Sequence, residues 1–110
     1  MTGRSSQAVT KMFDDVVKLI TETRTQNARG QHAVTETESD DILCEVASIT
    51  RMEWDGAQQR GYDAEICLII FFGDYSGQRI ALWNGERFEI YRHYQDGDRI
   101  ELYLGRKVGV

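Results

Sequence analysis

Between Ile66 and Phe72 the chain reads Ile-Cys-Leu-Ile-Ile-Phe-Phe, seven apolar residues with no polar break, closed by Gly73. A bilayer span takes about 20 apolar residues, so this run is far too short to be one. It also lacks the polar face of a surface strand or an amphipathic helix. A short β-prone run without alternation, ended by glycine, reads as a strand buried on both faces. Such a strand needs a sheet on both edges and cover on both sides. Cys67, Ile69 and Phe71, on its outward parity, would be bare unless the helix, the N-terminal residues or a second copy covered them.

Three segments downstream supply strands with one wet face. Ile80 and Leu82, then Phe88 and Ile90, then Ile100, Leu102 and Leu104 alternate with Arg79, Arg87, Glu89, Arg99 and Glu101. If paired residues share a face, Phe72 opposes Ile80, Ile80 opposes Phe88 and Tyr94 opposes Ile100, and each connecting loop has an odd length. The expectation is a four-stranded meander whose first two loops are three-residue turns, Tyr75-Ser76-Gly77 and Trp83-Asn84-Gly85, each ending in a glycine at positive φ. The loop at Asp96-Gly97-Asp98 should be odd as well.

Upstream, the β-branched segment 13–24 leads to the turn residues Asn27 and Gly30, and strand-like sequence resumes at Ala33. This predicts a long hairpin. Its second arm carries Glu36, Glu38, Asp40 and Asp41 before turning apolar at Ile42–Ile49, and a bend is expected between the two parts. Thr50 followed by Glu53 has the spacing of a capping box, each side chain satisfying the other's backbone donor. The spacing predicts a helix over Arg51–Gln59, stopped by Gly61, with Met52 covering core. The fold class is therefore mainly β: a small six-stranded antiparallel β-barrel with one short helix between the second and third strands. Residues 1–11, small and polar without period, read as an N-terminal arm, and residues 12–110 as the single barrel domain.

A chain of 110 residues holds one modest core. Its net charge of −5 is uneven, −6 over residues 1–75 and +1 over the rest. That balance argues against gripping phosphate backbones, which takes a basic face. No stretch has the length of a membrane span, and residues 1–11 lack the apolar core of a signal peptide, so a cytoplasmic site of synthesis is expected. Cys44 and Cys67 then read as buried thiols and not as a disulfide. With His32 and His93 they have no metal-ligand spacing, so no metal and no cofactor is expected.

Catalytic arrangements are equally missing from the pattern. There is no nucleophile elbow and no phosphate-cradling glycine loop. Asp14-Asp15 and Asp40-Asp41 are sequence neighbours, which in extended chain point to opposite sides and form no dyad. His93, on a strand, is expected at solvent or at a barrel rim. The chain is not expected to be an enzyme. A single-stranded nucleic-acid module would stack bases on Trp83, Tyr91 and Tyr103, but Glu89 and Glu101 interleave with Arg87 and Arg99 on that face and no basic groove results.

Five motifs in one order carry a resemblance. They are Ser48–Trp54, with Thr50-Arg51-x-Glu53; Gly61–Ile66; Asp74–Ile80, with Asp74-Tyr75-x-Gly77; Trp83–Arg92, with Asn84-Gly85 followed by Ile90-Tyr91-Arg92; and Asp98–Val110, with Ile100-Glu101-Leu102-Tyr103 and the ending Lys107-Val108-Gly109-Val110. In that order and spacing the chain, from about Met12 to Val110, resembles the head closure proteins of tailed bacteriophages, also called stoppers or head-tail joining proteins. Residues 1–11 depart from the pattern and would be an arm reaching a neighbour. The resemblance implies a virion protein of the neck, assembled in the bacterial cytoplasm. Copies would form a homo-oligomeric ring, commonly of about twelve, below a portal-bound adaptor and above a tail terminator or tail tube protein. Packaged double-stranded DNA would pass through without sequence-specific binding. Another connector component, adaptor or tail terminator, is the alternative.

Under that resemblance the segments facing the channel or adjacent rings would be the acidic run with Glu36, Glu38, Asp40 and Asp41, and the connection with Arg51, Glu53, Trp54, Arg60 and Tyr62. Arg106 and Lys107 would contact a neighbouring ring. Gly77, Asn84, Gly85 and Gly97 would hold the turns that make the scaffold rigid.

Overall fold

The computed structural model describes residues 13–108. The elements are β1 (Asp15–Gln26), β2 (His32–Glu38), β3 (Ile42–Ala47), α1 (Arg51–Gln59), β4 (Tyr62–Phe71), β5 (Ile80–Trp83), β6 (Glu86–Asp96) and β7 (Arg99–Lys107), with a 3-10 turn at Phe72–Asp74. The expected N-terminal arm, residues 1–11, lies outside the described residues, as do Met12, Gly109 and Val110.

The strands form one antiparallel sheet in the order β2-β1-β3-β4-β7-β6-β5, and β5 pairs back onto β1. Six strands thus close into a ring, and β2 stands outside it on the far half of β1. The chain has seven strands where six were expected, because the bend foreseen after Glu38 is a full break. At Ser39 the backbone N–H donates to Leu19 O and the hydroxyl accepts from Leu19 N, both at 2.9 Å. Pairing then resumes at Val17 with Ile42, after pairing Ile20 with Glu38. Between those pairs two residues of β1, Lys18 and Leu19, oppose three of the other strand, Ser39, Asp40 and Asp41, and the extra residue switches faces. Glu36 and Glu38 therefore point outward while Ile42 and the buried Cys44 point inward.

The apolar run lies at the centre, in β4 between β3 and β7, with Leu68 and Ile70 fully buried. Its outward face is covered in part, as it had to be. α1 packs on β4 and Cys67 is buried, while the Phe13 ring stacks on Phe71 at 4.7 Å. The inner core gathers Val17, Leu19, Cys44, Ala81, Phe88 and Leu102 with their neighbours from every ring strand.

The expected meander does not form. β4 pairs with β3 and β7 and not with β5, so residues 72–79 are a crossing at the ring's end and not a hairpin. Only β5, β6 and β7 run as a meander. Gly77 does take positive φ, but within that crossing. The turn between β5 and β6 has two residues, Asn84 and Gly85, both at positive φ (56° and 78°), the twist-matched hairpin geometry for Asn-Gly. It sets Leu82 opposite Arg87 and Ala81 opposite Phe88. β5 thus has the reverse of its expected parity. Ala81 is its buried residue, Trp83 packs against the core, and Leu82 sits outward beside Lys18. The small Ala81 fits between Leu19 and Phe88, where a larger inward residue would compete for the ring's interior.

β6 and β7 also join through two residues, Gly97 and Asp98, with Asp96 opposite Arg99. Gly97 alone is at positive φ (66°). That turn sets Gln95 opposite Ile100 and Tyr94 opposite Glu101, and a bulge at Tyr91 shifts the register beyond it, so that Ile90 pairs with Leu104 and regains its expected inward face. Without that extra residue, Arg92 would have continued the inward row of Phe88 and Ile90. The bulge aims it outward, beside Tyr103.

Candidate functional site

The two segments singled out as contact surfaces lie at opposite ends of the ring. α1 joins the end of β3 to the start of β4, whereas the β1–β2 hairpin leaves the ring beside the start of β3. The candidate residues therefore form two surfaces and not one site.

At the helix end, Thr50 caps α1, its hydroxyl accepting from Glu53 N at 3.1 Å. The reciprocal half of the expected capping box is missing because the Glu53 carboxylate is engaged elsewhere. Tyr91 donates its hydroxyl to it at 2.8 Å, and Arg92 donates through Nε at 3.3 Å and Nη2 at 2.5 Å. The Arg92 guanidinium lies 4.1 Å above the Tyr103 ring, and the Tyr103 hydroxyl donates to Glu101 at 2.5 Å. Tyr62 stacks on Tyr91 at 5.4 Å. Burial alone would raise the Glu53 pKa, but the Arg92 and Tyr91 hydrogen bonds outweigh it and hold the carboxyl below its ordinary range. Burial, then the carboxylate each one donates to, pushes the Tyr91 and Tyr103 hydroxyls up.

Glu53 thus clamps the helix to β6, and Tyr62 ties the start of β4 to the same strand through Tyr91, so neither is a free contact group. Nor do the three aromatics weighed for base stacking share an open face, since Trp83 faces the core while Tyr91 and Tyr103 lie partly buried in this clamp. What α1 offers to solvent is Arg51, loosely paired with Asp55 at 4.0 Å, together with Trp54, Arg60 and Met52. Met52 is 83% exposed and covers no core; Ala57 is the buried residue of the helix. Ala57 is small enough to let the helix approach β4, and Met52 falls on the opposite side of so short a helix.

Arg106 and Lys107 also sit at this end, Lys107 opposite Tyr62. Arg106 bridges Glu65 at 3.1 Å and Glu86 at 2.5 Å, and its guanidinium covers the Phe88 ring at 4.5 Å. It closes the end of the core and ties the Asn84-Gly85 turn to β4. Lys107 is exposed.

At the other end, β1 and β2 project past the ring. The tip is built by Asn27, whose Oδ1 accepts from the backbone N–H groups of Arg29 and Gln31, with Gly30 at φ 80°. Its root is held by Arg87, which grips Glu36 through both guanidinium nitrogens at 3.0 and 2.5 Å. That hydrogen-bonded pairing lowers the Glu36 pKa. Asp41 lies 3.8 Å from Lys18, and Glu38 and Asp41 are exposed. Asp40 and Asp41 line an open groove of about 560 Å³ with Leu43, Phe71 and Asp74. Beside it Val16, Leu43 and Phe71 leave apolar surface on the outer face of the sheet.

His93 stands exposed with its ring 5.3 Å from that of Tyr75, at this rim. Cys44 and Cys67 are free and buried, and burial pushes both thiols up to about 12. Among the described residues no three His, Cys, Asp or Glu side chains are grouped to hold a metal. No described helix is long and apolar enough to cross a membrane.

The sequence pattern missed the Glu53–Arg92 clamp and the Arg87–Glu36 grip, which depend on the bulge at Tyr91 and on the reversed parity of β5. A scan against protein-family models gives no match to the chain, and a search of curated proteins finds no relative.

Proposed function

We propose that the chain is a head closure protein of a tailed-phage neck, a structural protein and not an enzyme. Its closed sheet would be the small barrel of that family. In this reading copies form a ring that continues the DNA channel below the portal and adaptor, retains the packaged genome and presents the surface on which the tail docks. The observation that carries the reading is the placement of two chemically different contact surfaces at opposite ends of one closed sheet. A part that joins two unlike rings needs such a body. At one end is the arm, whose outer face carries Glu22, Glu36 and Glu38; at the other is α1 with Arg51, Trp54, Arg60 and the neighbouring Lys107.

The charge supports the same reading. Acidic side chains along a channel repel phosphate and let DNA slide, where a basic wall would hold it. Because Arg106 is committed to Glu65, Glu86 and Phe88, Lys107 and the exposed side of α1 are the better candidates for contacts with a neighbouring ring. Electron cryomicroscopy of the neck of intact particles tests the assignment. Density for this fold between the adaptor and the tail terminator is the expected result. Density in the adaptor ring or the terminator ring would move the protein to another connector role, and its absence from the neck would end the proposal.

A further inference from the structure

Phe13, where the described chain begins, does not continue the line of β1. Asp15 pairs with Cys44, so a straight strand would carry Phe13 along β3 toward Val46. Its ring instead stacks on Phe71 at 4.7 Å, and the guanidinium of Arg99, the residue paired with Phe71 on β7, lies 5.0 Å from the centre of that ring. Aromatic stacking and a cation–π contact thus hold it. The chain has turned across the outer face of the sheet, and residues 1–12, which lie outside the described residues, join it there.

The surface beside this entry point is apolar with an acidic border. Val16, Leu43, Phe71 and Phe72 are 42–54% exposed. Val16 pairs with Leu43, and Leu43 and Phe71 line the open groove with Asp40, Asp41 and Asp74. All three carboxylates are exposed, and among the described residues only Lys18, 3.8 Å from Asp41, pairs with any of them. Single apolar residues at a surface are ordinary, whereas a contiguous patch marks a contact. Residues 1–12 have the complementary chemistry: two cations, Arg4 and Lys11, no carboxylate, and the apolar Val9 and Met12 close to Phe13. Two extended residues span about 7 Å and twelve about 40 Å, so Lys11 starts beside the groove and Arg4 can lie along it.

We propose that residues 1–12 fold back over this groove of their own chain, with Val9 and Met12 on the Leu43–Phe71 surface and Arg4 and Lys11 against Asp40, Asp41 and Asp74. The outer face of β4 is then covered at both ends by the chain itself, by α1 over Cys67 and by the N-terminal segment over Phe71. Exposed ion pairs are weak, so apolar contact carries the docking and the carboxylates select its side. This inference stands on the seat of Phe13 and on charge, and does not depend on the neck assignment. A contact of residues 1–11 with a second copy, which the resemblance implies, is the competing outcome.

Engineered disulfides in the full-length chain test it. Val9→Cys is combined with Leu43→Cys or, as the control, with Tyr94→Cys. Phe13 sits over β4 and β7, with Leu43 on the next strand to one side and Tyr94 on the next strand to the other, so a segment that only trailed from Phe13 would reach both alike. Leu43 and Tyr94 are 54% and 55% exposed, so cysteine there spares the core, and the native thiols are buried. At micromolar protein in a glutathione buffer the Leu43→Cys variant should close its intrachain disulfide about ten times faster than the Tyr94→Cys variant. Adding Asp40→Asn, Asp41→Asn and Asp74→Asn should cut that preference about threefold. Equal closure rates would overturn the proposal, as would disulfides between chains that grow with concentration, which put the segment on a second copy. A preference for Leu43 that the three asparagines leave unchanged would overturn the roles of Arg4 and Lys11. None of these results bears on where the protein sits in a particle.

Discussion

Removing the Glu53 carboxylate should loosen the helix from the ring. Its side chain is 15% exposed and that of Arg92 31%, so the pair is mostly withdrawn from water. Taking one partner from a fully buried ion pair costs about 3–5 kcal/mol, because the other charge is left unpaired. Arg92 retains access to solvent and its stacking on Tyr103, so about 2–3 kcal/mol is expected for Glu53→Ala. Glu53→Gln keeps the packing and one acceptor and should lose about 1–2 kcal/mol, the difference between charged and neutral hydrogen bonds. For a domain of this size 1 kcal/mol is worth about 4 °C in Tm, so the alanine variant should melt about 10 °C lower by circular dichroism.

The pH dependence separates the charge from the packing. The folded Glu53 pKa lies below its unfolded value, since the Arg92 and Tyr91 hydrogen bonds outweigh burial. Its stabilisation is therefore full above the unfolded value, about 4.3, and is lost as pH falls through the folded one. The gap between wild type and Glu53→Gln should be constant from neutral pH to about pH 5 and close below pH 4. A gap under about 0.5 kcal/mol, or one unchanged down to acid, would refute the clamp.

Three further outcomes are expected. Gly105→Ala should lose about 1–3 kcal/mol or more in urea unfolding, because its Cβ would stand 2.5 Å from the Asp63 carbonyl oxygen and 3.3 Å from the Tyr91 ring; unchanged stability would mean that β4 and β7 separate freely there. Arg87→Ala should leave Tm nearly unchanged but speed hydrogen exchange at β2 amides, since the Glu36 pair holds the root of the arm; slow exchange in the variant would count against that role. Cys44 and Cys67, with thiols pushed up to about 12, should resist a thiol reagent at pH 8 until the protein unfolds, and rapid labelling of native protein would show the core to be open.

The parts legible in the sequence were those set by local chemistry. The Thr50 cap, the Arg51–Gln59 helix, the Asn27–Gly30 tip and the buried centre of the Ile66–Phe72 run follow from spacing and composition, although the end of that run, Phe71 and Phe72, is exposed. Strand partners were not legible, because pairing is a long-range choice. Assuming that neighbours in sequence pair led to a meander, and β4 instead lies between β3 and β7. Parity in β5 was lost through Ala81, too small to register as a core residue beside Ile80 and Leu82. Two bulges, after Glu38 and at Tyr91, each flip a face and leave no mark in an alternation pattern. With them went the partners of Glu36, Glu53 and Arg106, which separate clamping residues from the surfaces left free at the two ends.

The proposal that this chain closes the head of a tailed phage is tested most directly by electron microscopy of particles from a phage carrying this gene, with the gene deleted. Heads should be counted as DNA-filled or emptied, and as tailed or tailless. The account predicts heads that have packaged, lost their DNA and carry no tails, with filling and tail attachment restored by the wild-type gene in trans. Filled heads bearing tails in the deletion strain would contradict it.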